Sequence, residues 1–331
     1  MNLRSTRIPV LAAAAAVAIT LTACGSGTEA TDSSNAGGTT TKKLTISATG
    51  VDSLPFMAIL QVAIDKGWFK DKGLDVSMYS GGGGGNTLRV VTSGDADMAI
   101  AGNSSVILAS QQPSSNLQII APWFQVNDFS WIAPKGRSMT NATLGFSSAG
   151  SSTELIVKGL EKKLGVKSQA VGGMGDNWTA AKAGKITAGW AMHPFITSKE
   201  AEGAEVLVDS RDVLGDLPAD LVAVNADYAK QNPQNITDFF LVAQQAMDYV
   251  VDDTDAAAKD IATIIKMDPA TVAKGLRDTP DLRKAYSLKV EPAALNNLSE
   301  LMVQAGQIKQ NVDWAKVLDQ QFLPESDRAS L

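Results

Sequence analysis

From Lys43 onward the chain repeats one pattern. A short alternating or apolar run ends in Gly, Ser, Thr or Asn, and a helix-like segment follows. Leu44 to Ala48 ends at Thr49-Gly50, before an apolar helix opened by Pro55 and stopped by Gly67. Leu74 to Met78 alternates cleanly and runs into five glycines, Gly81 to Gly85. Asp97 to Ala101 ends at Gly102-Asn103-Ser104-Ser105, and Leu117 to Ala121 is a fourth apolar run. Thr143 to Phe146 ends at Ser147, before a helix from near Ser151 to near Gly165. Lys185 to Met192 ends at His193-Pro194. Strand and helix alternating in this way predict mainly parallel sheets with helices on both faces. The last hundred residues read mostly as helix: Phe239–Val251, Asp255–Lys266, Pro269–Leu276, Pro292–Ala305 and Trp314–Phe322.

Ligands in open parallel sheets sit beyond the carboxyl ends of the strands. Here those ends hold small, hydroxylic, amide or aromatic groups. The candidates are Thr49, Phe56 just inside the first helix, Gly82, Gly83, Asn103, Ser104, Ser147, Ser151, Ser152, Thr153, Trp178, Trp190 and His193. The glycine run is either a mobile loop tip or a backbone cradle, because residues without Cβ let N–H groups approach a ligand closely. Asn86-Thr87 is then the expected N-cap of the next helix. No Gly-Lys-Ser/Thr follows, so it is not a nucleotide loop. Ser147 to Glu154 opens a helix, where free N–H groups attract an anion and where Ser151, Ser152 and Glu154 also serve ordinary capping. Trp178 lies in a polar Gly-Asp-Asn-Trp stretch read as a turn, and Trp190 ends a strand. His193 is the only histidine, with no metal set or nucleophile pairing visible around it. No metal and no cofactor is expected.

The first residues bear on compartment. Arg4 and Arg7 precede an uncharged, alanine-rich run from Ile8 to Ala23, and Leu21-Thr22-Ala23-Cys24 follows the pattern of a signal peptide cut before a cysteine. Cys24 is the chain's single cysteine. It is expected to carry lipid (diacylglycerol, palmitate) and to leave a mature domain without disulfides. Residues 25–41 are rich in Gly, Ser, Thr and Ala and read as a flexible tether. Removing Arg4 and Arg7 from the 29 basic residues leaves 27 against 35 acidic ones, a net charge of −8. With no basic cluster beyond Lys42-Lys43 and Lys162-Lys163, nucleic acid is excluded as a partner.

Two stretches carry a resemblance: Gly67-Trp68-Phe69-Lys70-Asp71-Lys72-Gly73-Leu74-Asp75-Val76, and Ser93-Gly94-Asp95-Ala96-Asp97-Met98-Ala99. A third is Ala180 to Trp190. Together with the lipobox they resemble the solute-binding lipoproteins of ABC importers that handle sulfonates, taurine, nitrate and thiamine-pyrimidine precursors. The chain departs from that family at His193-Pro194-Phe195, where many members place an acidic residue before Pro-Phe. The resemblance implies an α/β, two-lobed periplasmic-binding-protein type II fold with a two-stranded hinge. The expected division is a signal peptide at 1–23, a tether at 24–42, lobe I at 43–130 plus 225–331, and lobe II at 131–224. The crossings are expected at Trp131–Pro134 and Leu221–Val224. The resemblance also implies a non-enzymatic monomer, anchored on the outer face of the membrane, that delivers a small molecule to an ABC permease and its ATPase. The ligand expected from the free N–H groups is an organic anion, sulfonate or carboxylate, on an apolar or aromatic body. A neutral thiamine-pyrimidine-type precursor is the alternative, and an enzyme on the same fold a further one.

Overall fold

The computed structural model describes residues 42–331. The leader at 1–23, Cys24 and the tether up to residue 41 lie outside the described residues. Lys42, read as the end of the tether, already pairs with Leu74 as the first residue of strand β1 (Lys42–Ala48).

The remaining strands are β2 (Leu74–Ser80), β3 (Met98–Gly102), β4 (Leu117–Trp123), β5 (Ser130–Pro134), β6 (Thr143–Phe146), β7 (Lys167–Ala170), β8 (Ala188–Ala191), β9 (Ala204–Asp209) and β10 (Asp220–Asn225). They form two five-stranded sheets, ordered β2-β1-β3-β10-β4 and β7-β6-β8-β5-β9. In the first, β2 and β3 run parallel to β1, while β10 is antiparallel to both β3 and β4. In the second, β7 and β8 run parallel to β6, and β5 is antiparallel to β8 and β9. Four strands in each sheet therefore share one direction and one is reversed. The reversed strand is in each case the one that arrives from the other sheet. A chain coming across the gap enters at the edge where its neighbours end, so it must run against them.

The crossings differ from the sequence expectation. Trp131–Pro134 belongs to β5 and Leu221–Val224 to β10, each hydrogen-bonded on both sides within a sheet. Their apolar residues are core, as Trp131 and Leu221 are fully buried. The chain instead crosses through residues 124–129 and 210–219, and residues 220–224 sit in the first sheet. The two segments run side by side: Ala219 N–H donates to the Phe124 carbonyl at 2.9 Å and Ser210 N–H to the Phe129 carbonyl at 3.0 Å. Ser210 Oγ also donates to Asn127 Oδ1 at 2.6 Å. Asp128, buried here, accepts the His193 N–H at 3.3 Å, and burial pushes its carboxyl well above the usual range.

Helices cover both faces of each sheet. The helix Pro55–Asp65 starts on a proline at its first turn and buries eight of its eleven residues. It packs against the long C-terminal helices Pro233–Asp252 and Thr254–Ile265. Trp314–Phe322 is not one helix. It is α-helical over Trp314–Val317, breaks where Leu318 turns aside to bridge Ile119 beside β4, and ends in a short 3-10 turn at Gln320–Phe322. No helix among the described residues is long and apolar enough to cross a membrane.

Candidate functional site

The strand ends of both sheets face one cleft of about 630 Å³. From the first sheet come Thr49, Ser80, the glycine loop and Gly102. From the second come Ser147 to Thr153, Gly172 to Gly175 and Trp190. This volume lies within the usual range for small-molecule sites.

The glycine run is built for the backbone, and its members are not equivalent. Gly82 and Gly83 sit at φ 65° and 133°, and the second value is open only to glycine. A Cβ on Gly81 would lie 2.7 Å from the Thr87 Cα, and one on Gly84 would meet Ser105 Oγ at 2.5 Å. Gly85 faces open space at an ordinary helical φ. The helix starts at Gly84, two residues before the expected cap, so Asn86 is already helical and accepts from Arg89. Thr87 Oγ1 donates to the Gly83 carbonyl at 3.0 Å and pairs with Thr49 Oγ1 at 2.8 Å, which ties the loop to the end of β1. Gly85→Ala is accordingly expected to raise stability by about 0.5–1 kcal/mol. Gly83→Ala should lower it by about 1–3 kcal/mol. Thermal unfolding of the two variants checks this, and equal effects would contradict it.

The helix Ser152–Leu164 carries the second loop. Ser151 caps it by accepting the Glu154 N–H at 3.1 Å, and the Glu154 carboxylate accepts the Gly150 N–H at 2.7 Å. The lobes meet here. Ser104 and Ser105 donate to the Gly150 carbonyl at 3.2 and 2.7 Å, and Ser152 Oγ donates to the Ala219 carbonyl at 3.2 Å.

Of the residues singled out from sequence, Thr49, Phe56, Gly82, Gly83, Ser147, Ser151, Ser152, Thr153 and Trp190 line the cleft. Phe56 stacks on Phe124 with ring centroids 4.1 Å apart. Trp190 stands 6.3 Å from Phe129 and donates to the Gly172 carbonyl at 3.0 Å.

Four candidates are placed elsewhere. Asn103 is fully buried, and its amide donates to the Pro218 carbonyl at 2.7 Å. Ser104 is consumed by the Gly150 contact. Trp178 is not in a turn but on the buried face of the helix Met174–Lys182, packed with Ile132, Ala191 and Ile196 behind the second sheet. His193 pairs with Thr197 at 3.1 Å, and Thr197 reaches Asp278 of the other lobe, so it belongs to a lobe contact beside the cleft. Burial holds its imidazole below the ordinary value.

Sequence reasoning missed Asp52, Phe129, Met174, Met192, Phe195 and, above all, Asp220. Asp220 begins β10, and because β10 is reversed its first residue, not its last, faces the cleft. Its neighbours in register are Gly102, which has no side chain, and Trp123, whose indole N–H is spent on the Phe56 carbonyl at 3.0 Å. It is 6% exposed, and burial alone pushes its carboxyl up to about 7. Among the described residues, no lysine, arginine or histidine lines the cleft. No cluster of His, Cys, Asp and Glu able to hold a metal occurs among the described residues.

A family model described as NMT1/THI5 like matches residues 55–257, more than half of the chain. The chain belongs to the NMT1/THI5-like family. No curated protein sequence matches this member significantly. Among solved structures it is similar to the Candida albicans CA3427 gene product, described as having the generic periplasmic binding protein structural fold. The TM-score is 0.67 at 14% identity, over 87% of this chain and 98% of that one. The alkanesulfonate-binding protein SsuA from Xanthomonas axonopodis pv. citri, bound to MOPS, matches at TM-score 0.66 and 15% identity, over 83% and 97% of the two chains. The desulfurization enzyme DszB matches at TM-score 0.62 and 14% identity, over 86% and 98%. At these identities the likeness is one of fold, and the fold serves both binding proteins and an enzyme.

Proposed function

We propose that this NMT1/THI5-like protein is the solute-capturing component of an ABC importer, working as a monomer on the outer face of the membrane and passing its ligand to a permease driven by an ATPase. The observation that carries the reading is the convergence of strand ends from two separate sheets on one cleft, with two chain crossings behind it among the described residues. Such an arrangement closes by hinge motion around a small molecule. The fold shared with SsuA supports it. The fold shared with DszB makes an enzyme the second reading. Against that reading, His193 is engaged with Thr197 beside the cleft, and the cleft wall is made mainly of hydroxyls, glycines and aromatic rings.

For the ligand, an organic anion is supported by the starts of the helices Gly84–Thr92 and Ser152–Leu164, whose first N–H groups have no intrahelical partner. Asp52 and Asp220 on the wall, and Glu154 already occupying one helix start, oppose it. They favour the alternative, a flat solute that is neutral or basic and carries N–H donors, laid against Phe56, Phe129 and Trp190. Burying one large ring contributes roughly 1.5–3 kcal/mol, out of about 8 kcal/mol that micromolar binding needs.

Native mass spectrometry after incubation with a mixture of small metabolites should show one solute bound per chain and released unaltered. A converted product would establish the enzyme reading instead. The anchor is tested separately. Cys24→Ser should move the protein from the membrane fraction to the soluble one, and a wild type already soluble would contradict lipidation.

A further inference from the structure

We propose that Asp220 selects the chemistry of the solute by facing a nitrogen group that donates hydrogen bonds, an amidinium, ammonium or amino-heterocycle. The inference rests on the cleft being a solute site. A buried carboxyl normally has partners, because desolvating it alone is costly. Asp220 is 94% removed from solvent, as its 6% exposure states, yet among the described residues it accepts no hydrogen bond and joins no ion pair. It is not sealed in the core either, since it forms part of the cleft wall beside Gly102 and Ala219. Glycine opposite it in β3 removes any side chain that would cover it on one side, and Trp123 supplies an apolar flank on the other. Phe56, Phe129 and Trp190 on the same wall suit a flat ring. A donor nitrogen on such a ring would complete what the protein leaves unpaired.

The electrostatics give this a signature that a merely structural carboxyl would lack. Burial alone pushes Asp220 up to about 7. In the free protein it is largely protonated at pH 6 and largely ionised at pH 8. A cationic solute needs the ionised form, so its affinity falls with the ionised fraction. That fraction changes about tenfold between pH 6 and pH 8 for a group titrating near 7. Binding at pH 6 should also release a proton.

The probes are benzamidine, which stays cationic throughout this range, and benzoate, a similarly shaped anion. Tryptophan fluorescence and calorimetry read both. We expect benzamidine to bind the wild type more tightly than benzoate, with about tenfold higher affinity at pH 8 than at pH 6. In Asp220→Asn, benzamidine affinity should fall at least tenfold at pH 8 and lose its pH dependence. Circular dichroism confirms that the variant is folded, and Asp220→Ala provides an independent check. Benzoate binding more tightly than benzamidine, or Asp220→Asn keeping both affinity and pH profile, overturns the assignment and leaves the solute-capture reading intact. If neither probe binds at millimolar concentration, the assignment falls. The solute-capture reading is then judged by the metabolite mixture alone.

Discussion

Asp220→Asn is expected to make the ligand-free protein more stable, and more so at pH 8 than at pH 5. The folded carboxyl titrates at about 7 against the ordinary aspartate value of 3.8. A group raised in this way contributes stability that is fully present below the unfolded value. That stability is lost as pH rises from about 4 through about 7, because the unfolded state gives up the proton first. A shift of this size corresponds to at most about 4 kcal/mol, at 1.36 kcal/mol per unit. Asparagine keeps the shape and has no charge to bury. Asp128 is raised by the same cause, so the variant should retain part of the alkaline loss. Urea unfolding of both proteins at pH 5 and pH 8 measures the difference. An equal gain at the two pH values would show that Asp220 does not titrate as assigned. A binding residue that costs stability until its ligand arrives is an expected trade-off.

Gly102→Leu is expected to weaken solute binding at least 100-fold while leaving each lobe folded. Gly102 ends β3 at φ −48°, a conformation open to any residue, so the change strains no backbone. A Cβ there would lie 2.7 Å from Ser152 Oγ, which belongs to the other lobe. The rest of a leucine side chain must then either enter the cleft or hold the lobes apart. Keeping them apart breaks the Ser105–Gly150 and Ser152–Ala219 hydrogen bonds. A 100-fold loss is about 2.7 kcal/mol, which closure and ring burial together supply. Calorimetry with the solute identified by mass spectrometry gives the affinity, and the melting profile shows whether folding is spared. Unchanged affinity would mean that the lobes need not meet.

What the sequence made legible follows from which forces leave a local trace. The apolar strands β1, β3 and β6 and the glycine and serine ends that follow them were readable, because a buried parallel strand is a short apolar run stopped by small residues. β7, Lys-Ser-Gln-Ala, was not, because it is a largely exposed edge strand without an apolar face. Without a visible β7, Gly172 and Gly173 beyond its end carry no signal, and the polar Gly-Asp-Asn-Trp stretch reads as a turn although it is helical. The crossings were misplaced because interior strands and hinge strands look alike in apolar content. Pairing partners separate them, and pairing is not local. Asp220 illustrates the same limit most clearly. The carboxyl ends of strands are where a ligand is expected, but the reversal of β10 puts its beginning at the cleft, and only the topology reveals that.

The central claim is that two lobes close on a small molecule. Solution scattering of the wild type and of Gly102→Leu, each with and without saturating solute, tests it most directly. The radius of gyration of the wild type should fall on binding, and that of Gly102→Leu should not. A wild-type curve unchanged at saturation would contradict closure.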